Sequence, residues 1–510
     1  MGSREDRSED RFLRRDHLGD RLGSRAARGA ALTLGAQWTR FVLQLVSTVI
    51  LARILTPDDY GLLGMVLVVT GLAERFKDLG LSAATIQREE LTHRQVSALF
   101  WINVGVGVAL AGALAALAPL IAEFYGRPEL VGVTLVLSLM FVAGGLTVQH
   151  QALLKRQMLY GWLSIMEIVS MAVGVAVAIL AAVLGAGYWA LVYYQLAIPV
   201  TLAVMSWVAC RWRPGRPERG ADIRSLLTFG GNLSLFGLLN YASRSADNLL
   251  IGRVHGAVEL GLYTKAYQLL LLPVQQINTP IANVAIPTLS YLQDDPPRYR
   301  RFYSSAITSI GLMTIPLIVV LAVLSEEVVL IVLGDQWTDA ARIFQVLAFA
   351  GIAQAVSNAN GWIYVSTGHT GRMAIWGLIS RPIIIASFVV GLPWGAYGVA
   401  VSYTVTSLLL LVPAFAVAVR KSPLRLADIA GASWRPLLIG VATFVTAWGV
   451  HNLSADASLW VRTLVTTLAA GVVAVSVIAI WPSLRGHVVE MYRILVSDKS
   501  ASERFTESGQ

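Results

Sequence analysis

The chain has 510 residues, of which 55% are hydrophobic and 14% charged, with a formal net charge of +9 and a mean hydropathy of +0.63. Soluble domains carry roughly 25% charged residues, so the composition excludes a soluble multi-domain chain and points to a polytopic membrane protein. The single cysteine, Cys210, excludes an internal disulfide framework.

Residues 1–29, "MGSREDRSEDRFLRRDHLGDRLGSRAARG", are charged and poor in apolar side chains, and predict a cytosolic basic tail rather than a signal peptide. Fourteen apolar spans follow, at about 30–52, 61–84, 96–122, 131–153, 162–184, 187–210, 225–252, 260–290, 302–324, 343–365, 373–392, 395–419, 436–453 and 459–481. Most approach the roughly 20 residues that a helix needs to cross the hydrocarbon.

Span 1 carries Arg40 with Gln44, and Arg40 has no obvious local acid. The next loop, "TPDDYG", places two acids side by side, as some membrane glycosyltransferases do. Local chemistry offers a plainer account: Thr56 caps span 2, Pro57 fits its first position, and Asp58 and Asp59 sit where the helix dipole favours anions. Span 2 ends in "AERFKDLG". Glu74 lies some 20 Å from the start of the span at about 1.5 Å per residue, and its i,i+3 spacing predicts a pair with Lys77. Glu74, Lys77 and Asp78 are candidates for a cytosolic gate; a neutralised cluster with snorkelling stems is the alternative. Glu167 is a further isolated polar position, in span 5.

Span 7 places Asn232, Phe236, Asn240, Ser243 and Asp247 within about 80° of arc, with Arg244 at the edge. Such a stripe faces protein or water rather than lipid. An Arg244–Asp247 pair at i,i+3 near the outer end would also account for both charges. Span 8 holds a second stripe of Lys265, Gln268, Gln275, Gln276, Thr279 and Asn283. Its prolines, Pro273, Pro280 and Pro287, each favour a kink. Two adjacent polar stripes suit a hydrated pathway, although buried polar groups also serve as glue between helices. In span 10, Asn358 and Asn360 predict helix–helix contacts. In span 11, Arg381 precedes Pro382 and, like Arg40, is an interior cation suited to an anionic substrate.

With the N-terminus in the cytosol, 29 of the 40 Lys and Arg fall on the cytosolic side. Only Arg53, Arg127, Arg253 and Arg342 lie outside, and seven fall within spans. The positive-inside rule therefore predicts that both termini are cytosolic, and the basic pI needs no nucleic acid.

An internal repeat is visible. "ARILTPDDYGLL" (52–63) matches "GRVHGAVELGLY" (252–263) at an offset of 200, through Arg53/Arg253, Gly61/Gly261 and Leu62/Leu262. "GAGYWALVYY" (185–194) matches "GAYGVAVSYT" (395–404) at an offset of 210. The repeat pairs spans 1–6 with spans 7–12 as parallel units related by an axis along the membrane normal. The expected organisation is an N-lobe at 30–210, a cytosolic linker at 211–224, a C-lobe at 225–420, two further helices at 421–481 and a cytosolic tail at 482–510.

No glycine precedes a lysine, so there is no Walker A loop, and no G-x-S-x-G motif or clustered His/Cys ligand set is present. The stretches "ARILTPDDYGLLGM", "DLGLSAATIQREELT", "QALLKRQMLYG", "NLSLFGLLNYASRSADNLLIGR", "ELGLYTKAYQLLLLPVQQINTPIANVAIPTLS" and "VLGDQWTDAARIFQVLA" together resemble bacterial polysaccharide flippases of the Wzx type, colanic-acid-exporter-like, in the MOP superfamily. The resemblance spans residues 30–420. It implies an all-α, MATE-like fold of two pseudo-symmetric six-helix bundles plus two C-terminal helices. It implies an inner-membrane transporter, not an enzyme, that moves undecaprenyl-diphosphate-linked oligosaccharide from the cytosolic to the periplasmic leaflet. Implied partners are the bilayer, the lipid-linked substrate, and the polymerase and glycosyltransferases of the same pathway. No cofactor is implied, and the choice of H+ or Na+ as a coupling ion stays open. The motif positions Arg244, Asp247 and Asn248 of "RSADN", with Asp78 of "DLG", carry over as site candidates beside Arg40, Asn232, Asn240, Lys265, Gln268, Gln275 and Arg381. Two alternatives stand beside this one. A MATE-like cation-coupled drug antiporter would want more buried acids than cations, the reverse of these spans. A membrane glycosyltransferase or O-antigen polymerase would not require the repeat.

Overall fold

The computed structural model describes residues 22–77, 82, 85–86, 91–216, 241 and 243–481. Among them every regular element is helical. Asn232, Asn240 and Asp78 lie outside the described residues.

The chain divides into two compact units, residues 1–261 and 262–510. The first holds α1 (Leu22–Ile54), α2 (Pro57–Glu74), α3 (His93–Tyr125), α4 (Leu130–Arg156), α5 (Tyr160–Val183) and α6 (Trp189–Ala209). Helix α7 (Ala246–Tyr291) begins in the first unit and ends in the second. The second continues with α8 (Pro296–Val323), α9 (Ser325–Val332), α10 (Thr338–Ser357), α11 (Asn360–Ser366), α12 (Thr370–Gly391), α13 (Gly395–Val419), α14 (Leu426–Leu453) and α15 (Leu459–Ile480).

Ten helices among the described residues are long and apolar enough to cross a membrane. Two of them exceed one crossing: α7, of 46 residues, and the 50-residue run Thr370–Val419 that contains α12 and α13. At 1.5 Å per residue a straight helix of that length would reach about 70 Å, more than twice the hydrocarbon thickness. Both are broken by glycine. In α7 the break is Gly256, at φ 83° and ψ −171°, a conformation open essentially to glycine alone. In the longer run it is the 3₁₀ turn Leu392–Trp394 followed by Gly395 at φ 70°. Pro273, Pro280 and Pro287 all lie within α7, yet the non-helical backbone is at Gly256, ahead of all three. The break thus falls at the expected boundary between spans 7 and 8, and the backbone stays helical through the three prolines.

Capping chemistry fixes the starts of α2 and α3. Thr56 accepts from the Asp59 N–H at 3.3 Å while the Asp59 carboxylate accepts from the Thr56 N–H at 2.8 Å. Thr92 and Gln95 repeat the same reciprocal box at α3. Each box satisfies two backbone donors that a helix start otherwise leaves open.

The core of the first unit gathers Phe100, Leu153, Met166, Cys210 and Trp212. His150 stacks on Trp207 with ring centroids 4.6 Å apart. Trp212 donates its indole N–H to His93 Nδ1 at 3.1 Å, and Trp101 donates to the Gly215 carbonyl at 2.8 Å. The described part of the expected linker, 211–216, is therefore packed against α3 and α4. The second unit centres on Tyr299, Tyr303, Trp362 and Phe415. The Tyr299 hydroxyl bonds Ser366 at 2.7 Å, and the Tyr303 hydroxyl donates to the Ala359 carbonyl at 3.1 Å. Helix α14 packs on α8, and α15 packs on α14. Large apolar side chains such as Leu409, Val412 and Leu464 stand exposed along the helix exteriors, as lipid-facing positions require.

Within the first unit, α2 crosses the start of α7 at backbone distance. A Cβ on Gly61 would lie 1.8 Å from the Ala257 carbonyl oxygen, and one on Gly261 would lie 1.9 Å from the Pro57 carbonyl oxygen. Pro57 and Ala257, like Gly61 and Gly261, are equivalent positions of the repeat at the offset of 200. The contact is therefore reciprocal, as around a local two-fold axis. Only glycine permits such an approach at either position.

Candidate functional site

Several of the predicted charges are already occupied in the structure. Asp58, the first acid of "TPDDYG", takes a two-pronged contact from Arg127, with Nη2–Oδ2 at 2.8 Å and Nη1–Oδ1 at 3.3 Å. That hydrogen-bonded carboxylate raises the Arg127 pKa above its ordinary value. Asp59 is engaged in the cap of α2. The loop acids are thus structural, and neither is free to act as a catalytic base.

Arg40 does not stand alone. Its Nη1 lies 2.6 Å from the Glu167 carboxylate, joining α1 to α5. The two isolated positions of the sequence form one cross-helix ion pair, so the reading of Arg40 as an interior cation without a local acid is corrected. Glu74 and Lys77 do pair, at i,i+3 as expected. Arg244 is exposed, and among the described residues no ion pair joins it to Asp247. Asp247 is buried, and its carboxylate accepts from the Asn248 N–H at 2.7 Å. The aromatic ring of Tyr241, just ahead of this segment, stacks under Arg75 of the α2 terminus at 5.4 Å. Its hydroxyl donates to the Leu67 carbonyl at 3.0 Å.

In the second unit Lys265 is buried, and its ammonium donates to the Gln268 side chain at 3.2 Å. Further along α7, Gln275, Thr279 and Asn283 are exposed, whereas Asn278, on another face, is buried with both amide atoms lacking a hydrogen-bond partner. Arg381 is half-buried on α12.

Two cavities give these side chains a geometry. The first unit has one of about 200 Å³, lined by Lys77 at the end of α2, Ser82, Gly144, Thr147, Gln151 and Lys155 of α4, and Pro199 and Leu202 of α6. It brings together two of the five lysines in the chain. One of them, Lys77, is shared with Glu74, while Lys155 is exposed and can meet an anion directly. The second unit has a cavity of about 220 Å³ between α10, α12 and α13, with Gln354, Ser357, Asn358, Trp376, Ser380, Tyr403 and Ser407 as its polar and aromatic lining. Asn358, expected as a helix–helix contact, is exposed and faces this space. The remaining members escaped the sequence reading because single serines are common in membrane helices. Their signal is the i,i+3/i+4 spacing of Gln354–Ser357–Asn358, Trp376–Ser380 and Tyr403–Ser407 on three neighbouring helices.

A third feature has no signal in the sequence. Glu327, in α9, is 1% exposed, and its Oε1 lies 2.8 Å from His451 Nε2 and 2.5 Å from Arg462 Nη2. This triad around a buried carboxylate ties α9 to the end of α14 and the start of α15.

Comparison with known proteins places this geometry. The chain is 29% identical over 350 residues to the teichuronic acid biosynthesis protein TuaB of Bacillus subtilis, covering 67% of this chain and 72% of that protein. It is 25% identical over 437 residues to the lipopolysaccharide biosynthesis protein WzxC of Escherichia coli, covering 82% of this chain and 87% of that one. Among solved structures it superposes on the lipid II flippase MurJ in an inward closed conformation with a TM-score of 0.71 at 13% identity, over 87% of this chain and 97% of that one. An inward-facing multidrug resistance MATE family transporter of the MOP superfamily superposes with a TM-score of 0.59 at 12% identity, over 78% and 96%. At those identities the structures establish the fold, which is all-helical, polytopic and MATE/MurJ-like. A family model for polysaccharide biosynthesis proteins matches residues 50–342, more than half of the sequence, and the chain belongs to that family.

Proposed function

We propose that this protein is a flippase for undecaprenyl-diphosphate-linked oligosaccharide, carrying the sugar head group across the bacterial inner membrane for surface polysaccharide assembly. The observation that carries the reading is membership of the polysaccharide biosynthesis family, joined to a likeness to WzxC that runs over 87% of that protein. The lysine-bearing cavity of the first unit supports it: Lys77 and Lys155 bring two ammonium groups to one opening, where a diphosphate can accept charge-assisted hydrogen bonds. A drug cation would want the reverse polarity. Of the acids among the described residues only Asp247 and Glu327 are buried, and Glu327 is matched by Arg462.

The chain crosses the membrane fourteen times in this reading, with the run Thr370–Val419 crossing twice about its glycine break and α7 joining the end of span 7 to span 8 at Gly256. Both termini lie in the cytosol, and the polymerase and glycosyltransferases of the same pathway act on either side of the step. The reciprocal Gly61/Gly261 contact fits two parallel six-helix repeats that cycle by alternating access, with α14 and α15 as an addition. Deleting the gene in a strain with no second flippase tests the reading. Lipid-linked repeat units should accumulate in the cytosolic leaflet and surface polymer should disappear; normal polymer export in that strain would sink it.

A further inference from the structure

We propose that the cavity between α10, α12 and α13 is a subsite for a neutral sugar ring, chemically separate from the cationic cavity of the first unit. The proposal rests on the flippase reading, and names where part of that substrate is held.

The lining excludes the other candidate occupants. It contains no Asp, Glu, Lys or Arg, so a diphosphate or a drug cation would enter a low-dielectric space with nothing to neutralise it. An apolar chain fits no better. The side chains of Gln354, Asn358, Ser380 and Ser407 make no hydrogen bond to any described residue, and hydrocarbon would leave all of them unsatisfied. Polar groups used as glue between membrane helices bond one another. These instead converge on about 220 Å³ of open space.

A neutral polyol answers both requirements. Its hydroxyls donate and accept, matching two carboxamides that do the same and hydroxyls that do either. Its ring also has an apolar C–H face, which needs a flat apolar partner. Trp376 and Tyr403 supply that partner in the same wall. Tyr403 is held from behind: its ring lies 5.8 Å from Phe388 at 37° and 6.3 Å from Tyr267 at 77°. A braced aromatic platform beside unused amide groups is preorganised for a sugar, since little side-chain freedom remains to be lost on binding.

The test uses the full-length protein in lipid nanodiscs and two probes: the lipid-linked repeat unit extracted from the source strain, and bare undecaprenyl diphosphate. Wild type should bind the sugar-bearing lipid at least tenfold more tightly than the bare lipid. Gln354→Leu, Trp376→Ala and the milder Ser380→Ala should each shrink that ratio, the first two to within about twofold of unity, while leaving affinity for the bare lipid unchanged. Melting of each variant within a few degrees of wild type secures the comparison, and Ser380→Ala serves if the larger changes do not fold. A ratio that survives in the folded variants would overturn the subsite and leave the flippase reading standing. Failure of wild type to bind either lipid would overturn the flippase reading, and the subsite with it.

Discussion

At the residue scale, the charges of this protein sort by whether their partner is near in sequence. The Glu74–Lys77 pair and the Thr56 cap of α2 were both legible, because three residues of helix set the geometry, whereas the reciprocal bond to the Asp59 carboxylate was not. Arg40 with Glu167, and Glu327 with His451 and Arg462, were not, because the partners meet only when helices pack; His451 lies 124 residues from Glu327. The Glu327 triad carries the sharpest residue-level expectation. Replacing Glu327 by Gln leaves the Arg462 guanidinium beside an uncharged buried group, and truncating one member of a buried pair costs about 3 kcal/mol. Glu327→Gln should therefore melt well below wild type in detergent, and Arg462→Met should restore part of the loss when combined with it; an unchanged melting curve would refute this role for the triad. By contrast, Asp58→Asn should leave polymer export within about twofold of wild type, since Asp58 only braces Arg127 at a cost typical of partly exposed pairs. Loss of export with intact protein would revive a catalytic role for the loop acids.

At the element scale, hydropathy located the helices well because span length and composition are dictated by the bilayer. What it did not show was the backbone conformation at the breaks. Gly256 lies between spans 7 and 8, where hydropathy already placed a boundary, but nothing in the sequence showed that the helix would run on to either side of a single glycine. A proline's lost hydrogen bond can be absorbed within a packed helix, whereas φ 83° admits little but glycine. Gly256→Ala should cost about 1–3 kcal/mol, read as a lowered melting temperature, while Pro280→Ala should cost less; the reverse ranking would show that the prolines set the bend. The Gly61/Gly261 crossing is more demanding. Valine at either position meets a carbonyl oxygen within 2 Å of its Cβ, so Gly61→Val and Gly261→Val should each abolish recoverable folded protein. Equal effects from the two sites would follow from their equivalence in the repeat.

At the scale of the whole molecule, the sequence separated membrane from soluble, but left the cavities unseen. A cavity is made by three or four helices at once, and no single helix carries its outline. The polar lining of the second-unit cavity reads, helix by helix, as ordinary serines in apolar runs. The topology itself is testable as a whole. On a Cys210→Ser background, a membrane-impermeant maleimide applied to intact cells should label Ala455→Cys between α14 and α15 and leave Ser8→Cys of the N-terminal tail unlabelled until the cells are opened. Labelling of the tail alone would invert the proposed orientation, and labelling of both would contradict the number of crossings between them. The central claim is transport of the lipid-linked oligosaccharide, and reconstitution tests it most directly. Proteoliposomes would carry lipid-linked repeat units bearing a fluorophore on the sugar, with membrane-impermeant dithionite added outside. With the protein present, dithionite should extinguish the fluorescence of both leaflets, and the Lys77→Ala/Lys155→Ala double variant should slow the inner-leaflet phase about tenfold, equivalent to 1.4 kcal/mol. Quenching that stops at the outer-leaflet pool, as in protein-free vesicles, would contradict the account.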